Sequence, residues 1–583
     1  MKVLAIVAAT IGLALAAATA PPTVPSPFPA ATPGPRVDVK RDSLYLPMRD
    51  GVRLAIELIR ASNAPAGARV PAIVRFTRYG RTGGTDGVSP TDAFWALRNY
   101  AVVSVDQRGT GASFGRVRYG KAELGDMRAV LDWVVAQPWS NGRVGAIGTS
   151  YEGTTAELLA ATGHPAVRAV APLYSDYDYY DLFRPGGVFN EGLAVGFSQI
   201  TAGMDAGGVA VAVETDPGRA QLQAALAEHR ANADLAVALR SDEFDDDVPT
   251  GDLGGSSRDL GPVGSREALE RARVPELLVT SWYDAAVAQG ALQRYADVAV
   301  PQRVVIGATN HGGHRLADPF RAPAPNPDGT LGQQYRLAAA FFQPFLIDGT
   351  GASPPNEISY FTTGENVWRT TATWPPVGMA RRSWFLAHDA RLTTAPDRAT
   401  AKLSLDVVTT GAHNRWYSQM TGEDVSLTEI TQGVGGAPSF TTEPLTTAIE
   451  ITGTPVLHLT MSASIADPSL FAYLLAVAPD GTTTDLTQGE LRLVNRKLDG
   501  SSIALHSFLR RDAERVRRDA AMDVQLALLP LSTTVPKGYR LRLALAAGER
   551  PAFVTGGAYV ASVDGRSRLE LPIRERPDLN PSK

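Results

Sequence analysis

The chain has 583 residues, 44% of them apolar and 20% charged, and 56 Lys and Arg against 60 Asp and Glu leave a net charge of −4. That length allows several domains at ~150 residues each, and the absence of a basic excess argues against nucleic acid or an anionic membrane as partner. There is no cysteine, which excludes disulfides, thiolate metal sites, a cysteine nucleophile and a lipidated cysteine.

Lys2, the apolar run Val3–Ala18 and the small residues Ala18-Thr19-Ala20 predict a secretory leader over 1–20, hence a secreted or periplasmic protein. The run is short for a membrane span of ~20 residues, and no span is expected once the leader is cut. Residues 21–36 carry seven prolines between Pro21 and Pro35 and read as an extended linker outside any core.

Strands and helices then alternate. Val70–Thr77, Ala101–Val105, Val144–Ile147 and Val167–Pro172 are unbroken apolar runs, as expected of strands buried on both faces of a parallel sheet. Between the second and third, Leu124, Met127, Val130, Leu131, Val134 and Val135 recur at helical spacing. Thr154–Ala161 predicts a second helix, stopped by Gly163-His164-Pro165. From about 176 to 270 the pattern becomes helical, aromatic and Gly-rich, and reads as an inserted cap. The sheet resumes with Glu276–Thr280 and Arg303–Ile306, and a helix around Gln334–Phe345 closes this half. From about 355 the period is two: Leu457, Leu459 and Met461 alternate, as do Phe471, Tyr473, Leu475 and Val477, and then Leu541, Leu543 and Leu545. That predicts a β-sandwich. The expected plan is an α/β catalytic domain over 37–175 and 271–350, a helical cap over 176–270, and a β domain over 355–583.

Gly148-Thr149-Ser150-Tyr151-Glu152-Gly153 lies where a strand ends and a helix begins. Such a turn exposes a serine Oγ at the sheet edge and points the free N–H groups of the helix at an oxygen beside it. The second glycine comes one residue later than in Gly-x-Ser-x-Gly, so the motif alone does not separate a nucleophile from a structural turn. Serine needs a base. Of eight histidines, His311 directly follows a late strand; His314, three residues on, competes with it. Asp284 follows the strand before, completing the order Ser, Asp, His expected of this fold; its competing reading is a helix N-cap. His311, His314 and Asp318 form too thin a set to predict a metal. The run Asp245-Asp246-Asp247 reads as solvated surface, with a binding role for a cation or a substrate ammonium as the alternative. Gly109-Thr110-Gly111 lacks the third glycine and the helix of a dinucleotide site. No cofactor is expected.

With these residues placed, the chain resembles the cocaine-esterase and X-prolyl dipeptidyl-peptidase group of serine hydrolases, which also holds α-amino-acid ester hydrolases and glutaryl acylases. The resemblance runs from about residue 40 to the C-terminus. It is carried by Met48-Arg49-Asp50-Gly51-Val52-Arg53-Leu54, by Asp106-Gln107-Arg108-Gly109-Thr110-Gly111-Ala112-Ser113, by Trp139 to Gly145, by Gly148 to Gly153 and by Trp282-Tyr283-Asp284. It implies an α/β-hydrolase core, a helical cap and a C-terminal jelly-roll sandwich. It also implies an oxyanion hole made of a tyrosine hydroxyl and the N–H after the serine. Thr77-Arg78-Tyr79-Gly80-Arg81 matches the family's segment with Arg78 in place of the usual proline, which makes Tyr79 the hydroxyl donor and Tyr151 the N–H donor. The expected function is hydrolysis of a small ester or amide. The alternatives are an X-Pro dipeptidyl-peptidase or α-amino-acid ester hydrolase, with the acidic run as the one hint of an amine site, and a non-catalytic binding protein with a relic core. Trp282 flanks a site residue and is a candidate pocket wall. Oligomeric state, a homo-oligomer included, stays open.

Overall fold

The computed structural model describes residues 26–29, 38–577 and 579, except 64, 66, 85–86, 328–329, 352–354, 412, 417–422, 501–505 and 555. The expected leader lies outside the described residues, as does most of the proline linker. The part of the linker that is described, Ser26 to Pro29, departs from the expectation of a segment free of the core. Phe28 packs edge-on against Trp368, with centroids 6.2 Å apart.

A ten-stranded sheet organises the first unit. Its strands in chain order are β1 (Val39–Pro47), β2 (Arg53–Ala61), β3 (Val70–Thr77), β4 (Ala101–Asp106), β5 (Ser140–Thr149), β6 (Val167–Leu173), β7 (Glu276–Ser281) and β8 (Gln302–Gly307). A short hairpin, β9 (Arg315–Asp318) and β10 (Arg321–Pro325), lies off the sheet, which ends with β11 (Glu357–Thr362) and β12 (Val367–Thr371). The spatial order is β1-β2-β4-β3-β5-β6-β7-β8-β11-β12. Strands β3 to β8 and β11 run parallel to one another, and antiparallel pairing is confined to β1-β2-β4 at one end and β11-β12 at the other. Both faces are covered, which is why the central strands read as continuous apolar runs. On one face, Met127, Val130, Leu131 and Val134 of α2 (Leu124–Ala136) and the apolar residues of α3 (Tyr151–Ala161) meet the sheet. On the other, Trp95 of α1 (Pro90–Ala96) meets Leu337 and Phe341 of a helix at Leu331–Phe342. All eleven residues of α3 are buried, so the helix that follows Ser150 has no solvent face.

Residues 174–275 hold helices and turns alone, the longest being Glu191–Gly203 and Ala220–His229. The first of these ends in a π turn at Met204–Gly208. The expected boundary at 355 needs correcting. β11 pairs in parallel with β8, Glu357 opposite Arg303, so the first sheet continues to Thr371 before the second unit begins at Ala380–Leu386. That unit packs a nine-stranded sheet on a four-stranded one. Leu457, Leu459 and Met461 of the larger sheet share a core with Leu470, Leu474, Leu541 and Leu543 of the smaller. The other face of Ser469–Val477, carrying Phe471, Tyr473 and Leu475, packs with Val188, Ala285 and Ala286 of the first unit. No helix among the described residues is long and apolar enough to cross a membrane.

Candidate active site

β5 delivers Ser150 and α3 carries the chain away from it. Ser150 has φ 62° and ψ −131°, a region that costs a non-glycine residue about 1–3 kcal/mol unless its surroundings impose it. They do. The Ser150 N–H donates to Leu173 O of β6 at 2.9 Å, and Ser150 O accepts from Gly153 N at 2.8 Å. A Cβ on Gly148 would lie 2.3 Å from Glu152 Cβ, and one on Gly153 would lie 2.7 Å from Ser175 Cβ. The late glycine of the motif is therefore a close-packing requirement: strand and helix approach too tightly for any side chain at 148 or 153. The helix starts at Tyr151, three residues before the expected start.

Asp284 and His311 come from the ends of β7 and β8. The Ser281 hydroxyl joins the two loops, donating to Thr309 O at 2.7 Å and accepting from Thr309 N at 2.8 Å. Asp284 is fully buried, and its Oδ2 accepts from His311 Nδ1 at 2.8 Å. The competing role as a helix cap does not apply. The next helix starts at Val287 with Ala286 as its cap and no side-chain capping bond. His311 is held from behind: Tyr174 stands edge-on to its ring at 6.2 Å, and Gln334 Nε2 donates to Gly312 O at 2.8 Å. Burial lowers the His311 pKa, but the charge and hydrogen bond of Asp284, with a further contribution from Asp176, raise it above the usual value.

The loop after β3 brings Tyr79 to the serine. Tyr79 lines the same cavity as Ser150, and its ring stands edge-on to that of Tyr151 with centroids 6.4 Å apart. Burial pushes its pKa up to about 12, the Ser150 side chain opposing the shift, so at neutral pH the phenol keeps its proton and can donate. The Asp106–Ser113 motif anchors this loop. Asp106 Oδ1 accepts from the Arg81 N–H at 2.6 Å, and its Oδ2 accepts from Arg81 Nη1 at 2.9 Å and from the Ala112 N–H at 2.8 Å. A Cβ on Gly111 would collide with that carboxylate, 2.3 Å from its carbon. Gly111 thus packs against the aspartate, while Gly109 makes room for the Arg116–Val117 main chain.

Ser150, His311, Tyr79 and Tyr151 line one cavity of about 450 Å³, and His314 lines it too. The cap supplies an apolar wall that includes Tyr179, Leu182, Phe183, Leu193 and Phe197. Asp176, just past the end of β6, also faces this space; burial, with the nearby Asp284 charge, raises its pKa to about 8. The sequence reading missed it, although it carries the same signal as Asp284, an acid placed just after a strand. It also missed Arg415. This buried side chain reaches from the second unit to donate to Trp282 O at 3.2 Å and to Asp485 Oδ2 at 3.1 Å, and Arg415 O accepts from Ala285 N at 3.2 Å. Trp282 is not a pocket wall: it is buried in the core, stacked on Trp374 with centroids 5.4 Å apart, and its Nε1 donates to Phe361 O at 2.8 Å. Nor does the acidic run reach the cavity. Asp245 pairs with Arg258 at 2.9 Å and Asp247 with Arg510 at 2.6 Å, so the run ties the cap to the second unit. Among the described residues no group of three or more His, Cys, Asp or Glu is placed to hold a metal.

Residues 50–313 match the X-Pro dipeptidyl-peptidase (S15) family, and residues 349–558 match the X-Pro dipeptidyl-peptidase C-terminal non-catalytic domain. A Mycobacterium bovis protein named as a serine esterase is 30% identical over 619 residues, covering 92% of this chain and 95% of its own. The cocaine esterase of a Rhodococcus species is 26% identical over 495 residues, covering 78% and 83%. The fold matches a solved α-amino acid ester hydrolase with a TM-score of 0.71 at 19% identity, over 95% of this chain and all of that one. The architecture is thus an α/β-hydrolase core with a β-rich C-terminal domain, and the chain belongs to the X-Pro dipeptidyl-peptidase (S15) family of serine hydrolases.

Proposed function

We propose that the protein is an exported enzyme that cleaves ester or amide bonds of small acyl substrates through an acyl-enzyme on Ser150. The observation that carries this reading is the 2.8 Å bond from His311 Nδ1 to the buried Asp284 carboxylate, in the wall of the cavity that holds Ser150. With its Nδ1 proton donated to Asp284, His311 offers Nε2 as the base. It takes the Ser150 proton as Oγ attacks the carbonyl, and Asp284 holds the tautomer and stabilises the imidazolium. Tyr79 and the Tyr151 N–H receive the developing oxyanion, each such donor being worth about 3–4 kcal/mol in the transition state. His311 then protonates the leaving group, and water, deprotonated by the same nitrogen, releases the acid. The apolar cap wall suits an uncharged acyl or alkoxy group.

A second reading is favoured by Asp176. A carboxylate whose proton is held up to about pH 8 by burial is a place where a substrate ammonium can dock and displace that proton. This suits an α-amino-acid ester or an X-Pro peptide. The deciding experiment is a panel of p-nitrophenyl esters, an α-amino-acid ester and an X-Pro anilide, assayed on wild type and Ser150→Ala. Cleavage of one class, lost in the mutant, names the substrate. Equal activity in the mutant would remove Ser150 as nucleophile, and a fluorophosphonate that fails to label Ser150 would favour a relic core. Export is tested by sequencing the amino terminus of protein recovered outside the cytoplasm, expected to begin just after Ala20.

A further inference from the structure

The loop that carries Tyr79 is gripped by the cap on both sides of the tyrosine. On one side stands Arg78, only 1% exposed. Its Nη2 donates to Asp205 Oδ1 at 3.2 Å and Oδ2 at 3.4 Å, and its Nη1 donates to the Tyr119 hydroxyl. On the other side, Gly80 has φ +87°, and a Cβ there would lie 2.8 Å from Val209 O of the cap. Arg81 Nη1 then donates to Val211 O at 2.7 Å and its Nη2 to Ala212 O at 3.2 Å. The cap residues in these contacts, 205 to 212, form the π turn that ends the helix Glu191–Gly203, together with the irregular segment after it. Irregular turns of this kind often mark functional sites.

We infer that this cap segment is a clamp that sets the aim of the Tyr79 hydroxyl, with Arg78 and Asp205 as its positioning residues. The inference rests on the oxyanion role proposed for Tyr79. Three features separate the pair from ordinary packing. A cavity of about 520 Å³ opens beside it, lined by Arg78, Tyr119, Asp205 and Asn232, so solid packing does not hold the cap here. The pair is itself held: Asp205 Oδ2 accepts from Asn232 Nδ2 at 2.9 Å, and Asn232 is bonded in turn to Gly109 O and the Val117 N–H, both at 2.9 Å. Finally, Arg78 touches the site through aromatic rings. Its guanidinium lies 5.7 Å from the Tyr119 ring and 5.8 Å from that of Phe197. Tyr119 stands edge-on to Tyr151, which stands edge-on to Tyr79. An ion pair with one partner buried and the other half-buried adds little net stability over an apolar pair, because desolvation offsets the attraction, but it fixes one geometry. A shift of about 1 Å in a group that meets the transition state costs as much as 100-fold in rate.

The test is a double-mutant cycle on the full-length enzyme. Tyr79→Phe, the reference, is expected to lower kcat about 100-fold. Asp205→Asn keeps the size of the side chain and is expected to lower kcat about tenfold with KM little changed. It should weaken an aryl boronic acid, which forms a tetrahedral adduct on the serine, by the same factor. In the Tyr79→Phe background Asp205→Asn should cost less than twofold. Arg78→Met combined with Asp205→Asn leaves no lone buried charge and should give the same pattern, which guards against a variant that fails to fold. An equal loss in both backgrounds, or a loss in KM and melting temperature alone, would overturn the clamp. Full activity in Tyr79→Phe would overturn the oxyanion role, and the clamp with it.

Discussion

The bond between Asp284 and His311 sets a measurable rate. In Asp284→Asn the charge disappears while the volume stays. With charge centres about 4 Å apart, a carboxylate stabilises the imidazolium of the transition state by about 4 kcal/mol at an effective dielectric constant of 20, or roughly 10³-fold in rate. The amide can also turn its NH2 toward Nδ1 and so select the wrong tautomer. This adds about a further tenfold, and kcat should fall by about 10⁴, as removing this charge does where the triad has been dissected. The pH profile carries a second signature. Burial alone lowers the His311 pKa, whereas Asp284 and Asp176 raise it. The base works only when unprotonated, so wild-type kcat/KM rises with pH through a pKa above 6.5. In Asp284→Asn the main raising cause is gone, burial prevails, and the rise moves to lower pH. The assay is initial rates on a p-nitrophenyl ester between about pH 5 and 9, normalised by fluorophosphonate titration of Ser150. A variant that keeps more than a tenth of kcat, or whose pH midpoint does not move, would refute the role given to Asp284.

Ser150→Gly should be inactive yet more stable by about 1 kcal/mol, because glycine takes φ 62° freely; an unchanged or lower melting temperature would mean the turn holds no strain. Gly148→Ala should cost about 3 kcal/mol or more, since its methyl would lie 2.3 Å from Glu152 Cβ and 2.5 Å from Glu152 main-chain atoms; soluble, active protein of wild-type stability would contradict the packing. Asp176→Asn should erase an ionisation near pH 8 from the kcat/KM profile of uncharged esters and lower the pKa of the His311 limb, because Asp176 is one of the groups raising it. If Asp176 instead docks an ammonium, the same variant should lose α-amino-acid esters selectively, and a profile identical to wild type on both substrates would exclude either role.

Much of the first unit was legible because burial on two faces leaves an unbroken apolar run. Val70–Thr77 is found as expected, and Glu276–Thr280 and Arg303–Ile306 each gain a residue or two at their ends. The errors came where pairing is decided by distant chain. Glu357–Thr362 is a short strand after a helix, and only its register with β8 assigns it to the first sheet. Phe471, Tyr473 and Leu475 alternate as expected, but the intervening Leu470, Ala472 and Leu474 are buried too. The smaller sheet is enclosed between the larger one and the first unit, so alternation there reports two different cores.

The site was readable for a related reason. Ser150, Asp284 and His311 each follow directly from a strand of a parallel sheet, where loops at one edge converge. Their neighbours obey no such rule. Trp282 is two residues from Asp284, yet the chain turns its indole toward Phe361. Arg415 lies 131 positions past Asp284 and still holds the loop, through Trp282 O and the Ala285 N–H. Asp485, which anchors its guanidinium, stands on the smaller sheet of the second unit. The support of Asp284 is therefore assembled from a domain whose family counterpart is described as non-catalytic. Ala285 has φ 41°, a strained value for alanine that the Arg415 carbonyl helps to impose. A chain cut after Thr371 would keep every strand of the first sheet and all three residues assigned to the triad. It would lose the prop that fixes where the carboxylate points. In the proposed mechanism the second domain contributes no reacting atom, yet it supports the loop that carries Asp284.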